Sequence, residues 1–81
     1  MKIYVELSEW LKRFAGGERN LVLDFYDTIE SGSITGNEAI KMIGIPMDEV
    51  GFISVNGVKS NMTDTLKDGD KVAVFHPIIG G

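Results

Sequence analysis

The chain opens on a clean alternation. In KIYVEL, residues 2–7, Ile3, Val5 and Leu7 point one way and Lys2, Tyr4 and Glu6 the other, the period of a half-buried strand. WLKRFAGGE follows, with Gly16-Gly17 reading as a turn. In RNLVLDFYD the residues Leu21, Leu23 and Phe25 again share one parity, which predicts a second strand paired with the first as a hairpin. The period then changes. Thr35 followed by Glu38 fits a capping box, with Ile34 and Ala39 placed as a hydrophobic staple. Ala39, Ile40 and Ile43 form an apolar stripe at helical spacing. Gly44 can close this helix in a left-handed conformation, and Pro46 stops it continuing. The spacing predicts one short helix centred on residues 36–43.

Two short strands are predicted around Asn56-Gly57 in VGFISVNGVKS, a strong tight-hairpin signal. MTDTLKDGD is rich in turn residues, and Asp68-Gly69 marks another tight turn. KVAVF is the last alternating run, with Val72 and Val74 on one face and Lys71, Ala73 and Phe75 on the other. Pro77 cannot donate to a strand ladder, so this strand ends near it. The order is strand, strand, helix, strand, short strand, strand. One helix must then cover one face of a mixed sheet. This predicts an α+β chain of the β-grasp, ubiquitin-like kind: a mixed sheet of four to five strands, one main helix on one face, first and last strands side by side in the middle. Residues 1–75 form the expected domain, and residues 76–81 a flexible C-terminal tail ending in Gly-Gly.

Composition narrows the function classes. At 81 residues the chain is one domain with a small core. With 43% apolar and 25% charged residues it has the make-up of an ordinary soluble globular domain. There is no cysteine, hence no disulfide and no thiolate metal site, and the single His76 cannot make a zinc site by itself. A net charge of −4 disfavours a nucleic-acid partner. No apolar run is long enough to span a membrane, and the first residues lack a signal-peptide core. A cytoplasmic protein with no bound metal is expected. Asp64, Asp68 and Asp70 are explained by turn chemistry. Asp24, Asp27 and Glu30 read as a solvated acidic edge. No carboxylate pair has a supporting nucleophile, so a hydrolase is rejected.

The candidate chemistry lies at the end, in DGDKVAVFHPIIGG. If the sheet stops near Phe75, the segment from His76 to Gly81 projects, and six extended residues reach at most about 20 Å. Gly80 and Gly81 carry no side-chain acid, base or nucleophile, but they let the backbone enter a channel too narrow for side chains. A terminal carboxylate becomes a good acyl donor once its oxygen has attacked the α-phosphate of ATP. A sulfur nucleophile can then displace AMP and leave a thiocarboxylate. The chain has no phosphate-cradling glycine loop with a lysine, so ATP would be bound by a partner. Tyr4, Ala73 and Phe75 share parity on strands expected to be neighbours, and an exposed apolar group of this kind suggests a partner site. Trp10 reads as a local packing anchor and His76 as a solvated tail residue, with assistance of acyl transfer as the alternative.

The ending LKDGDKVAVFHPIIGG, together with LKRFAG after the first strand and SVNG in the third, resembles the MoaD/ThiS family of ubiquitin-like sulfur carriers. The likeness covers essentially the whole chain and favours the MoaD branch. It implies a carrier and non-catalytic synthase subunit rather than an enzyme. Gly81 would be adenylated by a ubiquitin-activating-like adenylyltransferase, with Gly80 giving steric passage and a sulfurtransferase supplying sulfur. The thiocarboxylate would donate sulfur within a synthase large subunit, in the MoaD case in molybdopterin (molybdenum or tungsten cofactor) biosynthesis. Partner contacts fall on Tyr4, Ala73, Phe75, His76, Pro77, Ile78 and Ile79. The alternatives are a carrier for thiamin or cysteine synthesis, a ubiquitin-like protein modifier, and a non-covalent β-grasp binding module.

Overall fold

The computed structural model describes residues 1–25 and 34–77. Strand β1 (Lys2–Leu7) and β2 (Asn20–Asp24) form the first hairpin, joined through a 3-10 turn at Leu11–Ala15. A two-residue strand, β3 (Ile34–Thr35), leads into helix α1 (Gly36–Ile43). A second 3-10 turn, Met47–Glu49, precedes β4 (Phe52–Val55), β5 (Val58–Ser60), β6 (Thr65–Leu66) and β7 (Lys71–Phe75). The main sheet has five strands in the order β2-β1-β7-β4-β5, and β3 pairs with β6 in a separate two-stranded ladder. Strands β1 and β7 are parallel; the other pairs are antiparallel.

The local chemistry explains these elements. Thr35 caps α1: its hydroxyl accepts from the Glu38 N–H, and the Glu38 carboxylate accepts from the Thr35 N–H at 3.0 Å, satisfying two donors that a helix start leaves bare. Gly44 ends the helix at φ 96° and donates to the Ile40 and Lys41 carbonyls, a geometry that costs any residue with a Cβ. In the β4–β5 hairpin both Asn56 and Gly57 have positive φ, as the mirror-image turns that match strand twist require.

The alternation along β1 and β7 becomes the two faces of the sheet. Ile3, Val5 and Leu7 of β1, Val72 and Val74 of β7 and Ile53 of β4 are buried together with Ala39 and Ile40 of α1. Leu11, Phe25, Ile34, Ile45, Val50 and Leu66 complete the cluster; no polar residue is buried as a whole among the described residues, although the Ser8 hydroxyl is shielded from solvent. The first and last strands are adjacent at the centre, and the helix covers one face. The three turn aspartates spend their carboxylates on the backbone. Asp68 accepts from the Lys2 N–H at 2.7 Å, Asp70 from the Lys67 N–H at 2.7 Å and Asp64 from the Asn61 N–H at 3.1 Å. Asp70 also accepts from the Asn56 side chain at 2.9 Å, tying the β4–β5 turn to the start of β7. Asp24 ends β2 on an exposed position, whereas Asp27 and Glu30 lie outside the described residues. Among the described residues no helix is long and apolar enough to cross a membrane.

Candidate functional site

The face of the sheet opposite α1 carries the residues of the other parity. Tyr4, Glu6 and Lys71 are exposed, and Ala73 and Phe75 are half-buried. The structure divides the expected apolar set. Tyr4 stands opposite Lys71 on β7 and opposite Val22 on β2, whereas Ala73 stands opposite Glu6 and Phe75 opposite Phe52. Tyr4 is thus displaced from Phe75 by four positions along the strand direction, about 13 Å at strand rise. Tyr4 and Val22, 42% and 55% exposed, form one apolar spot. Phe75 and Phe52 form another, their rings stacked at 4.6 Å and 15° with the Lys59 ammonium 5.2 Å from the Phe52 ring centre. The first spot borders an open depression of about 560 Å³, lined by Tyr4 and Val22 together with Glu6, Asn20, Lys71 and Ala73.

A second assembly gathers where the chain leaves β7. The expectation of His76 as a solvated tail residue does not hold, because the imidazole is half-buried and its Nε2 lies 3.1 Å from Glu49 Oε2. The same oxygen accepts from the Trp10 indole N–H at 3.1 Å, and the Trp10 and His76 rings are 5.3 Å apart. The Arg13 guanidinium lies 3.4 Å from the Trp10 ring centre and its Nε donates to the Trp10 carbonyl. Trp10 thus meets Arg13 close by in sequence and Glu49 and His76 far from it, and it remains 45% exposed. Nearby, the hydrogen bond and charge of Lys12, with a smaller effect from Arg19, hold the Glu9 carboxyl below its usual range.

Gly51 completes the assembly. Its N–H donates to the Phe75 carbonyl at 2.7 Å. A Cβ at this position would stand 2.8 Å from Pro77 Cα and 2.9 Å from Pro77 N, closer than real Cβ contacts allow. The backbone of His76 and Pro77 thus lies directly against Gly51. Neither Glu49 nor Gly51 is marked by any period or motif in the sequence; a glycine immediately before an alternating run is the one available hint. Of the residues expected to act, Tyr4, Ala73, Phe75, His76 and Pro77 are placed by the structure. Ile78, Ile79, Gly80 and Gly81 lie outside the described residues.

One helix on one face of a five-stranded mixed sheet, with parallel first and last strands at its centre, is the ubiquitin-like β-grasp fold. Residues 1–79 match the Mut7-C ubiquitin family, and the chain belongs to that family. No protein of curated function matches it. Solved structures share the fold at low identity. SAMP1 from Haloferax volcanii is 21% identical with a TM-score of 0.71, all of both chains being covered. A Pyrococcus furiosus protein assigned as molybdopterin converting factor, subunit 1, is 23% identical with a TM-score of 0.67, covering 96% of this chain and 99% of that one. Subunits 1 and 2 of the molybdopterin-converting factor from Helicobacter pylori form a complex; its matching chain is 21% identical with a TM-score of 0.60 and full coverage of both. The fold expected from the resemblance to ubiquitin-like sulfur carriers is the fold observed.

Proposed function

We propose that the protein is a ubiquitin-like sulfur carrier in which the carboxylate of Gly81 is the reactive group. The observation that carries this reading is the chain's exit from the sheet. The last strand runs through the centre, its end is held at His76 and Pro77, and the residues beyond, Ile-Ile-Gly-Gly, offer a backbone without side-chain chemistry. An oxygen of the Gly81 carboxylate attacks the α-phosphate of ATP on a partner adenylyltransferase. Pyrophosphate leaves, and an acyl-adenylate forms. Sulfur at the hydrosulfide level then adds to the carbonyl, AMP leaves with the former carboxylate oxygen, and a terminal thiocarboxylate remains.

The destination of the sulfur is proposed from the structural neighbours. Similarity to molybdopterin-converting factor subunit 1, which in one case is complexed with subunit 2, favours a synthase large subunit as acceptor and molybdopterin synthesis as the pathway. Similarity to an archaeal modifier protein favours a second reading, in which the acyl group of the adenylate is transferred to lysine amines of other proteins and AMP leaves. Intact-mass measurement of the protein isolated from its host separates them. A carrier gives a species about 16 Da heavier, oxygen having been replaced by sulfur; a modifier gives isopeptide-linked adducts. Protein recovered only at its unmodified mass and unconjugated counts against both and leaves the non-covalent binding module.

The stacked pair on the outer face is proposed as part of the partner surface. Phe75 is half-buried on the side away from the core cluster, so truncating it removes ring contacts with Phe52 and leaves the core packing in place. Phe75→Ala is expected to weaken binding to the adenylyltransferase by about tenfold, the scale of an aromatic anchor in an interface. The domain should still unfold in one cooperative transition. Calorimetric titration of folded variant against wild type checks this, and equal affinities would place the contact elsewhere.

A further inference from the structure

The cluster at the end of β7 joins three segments that are far apart in sequence, and none of its contacts is needed to build the core. Glu49 is the common partner. One carboxylate oxygen engages Trp10 from the loop after β1 and His76 from the segment after β7, both at 3.1 Å. Gly51, two residues on, accepts the backbone of Pro77 at a distance that excludes a side chain. The core residues nearby, Leu11 and Val50, are buried without involving these polar groups.

From this geometry we infer that Glu49 and Gly51 are positioning residues that fix the direction in which the C-terminal segment leaves the domain. The inference rests on the carrier reading. Beyond Pro77 the chain has Ile78–Gly81, at most about 14 Å of extended backbone. A short segment anchored in a fixed direction samples a small volume around its carboxylate. Releasing His76 and Pro77 lengthens the part of the chain without an anchor on the domain and dilutes the carboxylate at the partner's ATP, which lowers the fraction of complexes in near-attack geometry. The body of the domain docks as before, so the loss falls on the rate of the bound complex and not on docking. Glu49 acts through His76 and Trp10, and Gly51 through Pro77; neither touches the reacting atoms.

Two substitutions disturb the same point by different means. Glu49→Ala removes the grip. Gly51→Ala keeps the grip and pushes Pro77 away. Glu49→Gln retains an acceptor for Trp10 and a hydrogen-bonding group for His76, and serves as the conservative rescue. Each variant is assayed with the host's adenylyltransferase by ATP–pyrophosphate exchange, varying the carrier concentration. The chain has one tryptophan, so its one indole N–H cross-peak in a proton–nitrogen NMR spectrum reports on the cluster directly. Both alanine variants are expected to lower kcat about tenfold or more with KM within about threefold. The indole peak should move in Glu49→Ala, and Glu49→Gln should recover most of the rate. Alanine variants with wild-type kcat overturn the positioning role and leave the carrier reading standing. A change confined to KM assigns these residues to docking and likewise overturns it. A wild type that supports no exchange overturns the carrier reading, and the inference with it. If Gly51→Ala does not fold, Glu49→Ala decides, because its side chain lies outside the core.

Discussion

Deleting Gly81 is expected to abolish formation of the acyl-adenylate while leaving the unfolding midpoint in urea unchanged. The two halves of this expectation have separate causes. The core cluster among the described residues is built from the side chains of β1, β4, β7, α1 and their flanking segments, and a glycine has no side chain to add to or take from such a cluster. On the carrier reading, activation requires a carboxylate at one place. Loss of Gly81 withdraws it by one residue, about 3.3 Å or more, and a misplacement of only about 1 Å can lower a rate by roughly a hundredfold. Adding a residue after Gly81 should fail equally, because it carries the carboxylate beyond the α-phosphate. Gly80→Val should fail less completely: the carboxylate keeps its position in the chain, but a branched side chain must pass the narrow part of the channel. The assay is ATP-dependent adenylation with the cognate enzyme, read by mass spectrometry. Adenylation of the shortened and lengthened chains at the wild-type rate would make the terminal glycines incidental, and the binding-module reading would take over.

The parts of this structure that were legible in the sequence are those encoded by period and by local caps. Lys2–Leu7 and Lys71–Phe75 alternate strictly, and a strand with one buried face has little freedom to do otherwise. Thr35, Glu38 and Gly44 carry the boundaries of α1 in their own side chains and backbone. Strands β3 and β6 have two residues each, too few for any period to show. Parity placed Tyr4, Ala73 and Phe75 on one face but could not give their spacing. That spacing depends on the parallel register, which sets Tyr4 against Lys71. The cluster at the end of β7 was hidden for a different reason. Its hydrogen bonds span 27 and 39 residues of sequence, and a lone glutamate in a 3-10 turn leaves no pattern. His76 reads as solvated until Glu49 and Trp10 are brought to it by the fold.

The central strands carry the domain's buried core, which makes Leu7→Ala a strongly damaging core change. Leu7 is fully buried and stands opposite Val74, which in turn stands opposite Ile53. The row crosses β1, β7 and β4 beneath α1. Replacing leucine by alanine here removes transfer free energy and leaves a cavity among the packed core side chains. Such losses run to about 3–5 kcal/mol. A chain of this length has a total stability of only about 4–12 kcal/mol, so about a quarter or more of it goes, and at the low end the chain unfolds. Urea titration should show a midpoint lowered by at least about a quarter with the slope unchanged. Met42→Ala is the matched control. Its side chain is 59% exposed on α1, alanine is the better helix former, and the change should stay within about 0.5 kcal/mol. A Leu7→Ala midpoint as close to wild type as that of the control would mean that the central row does not hold the sheet together.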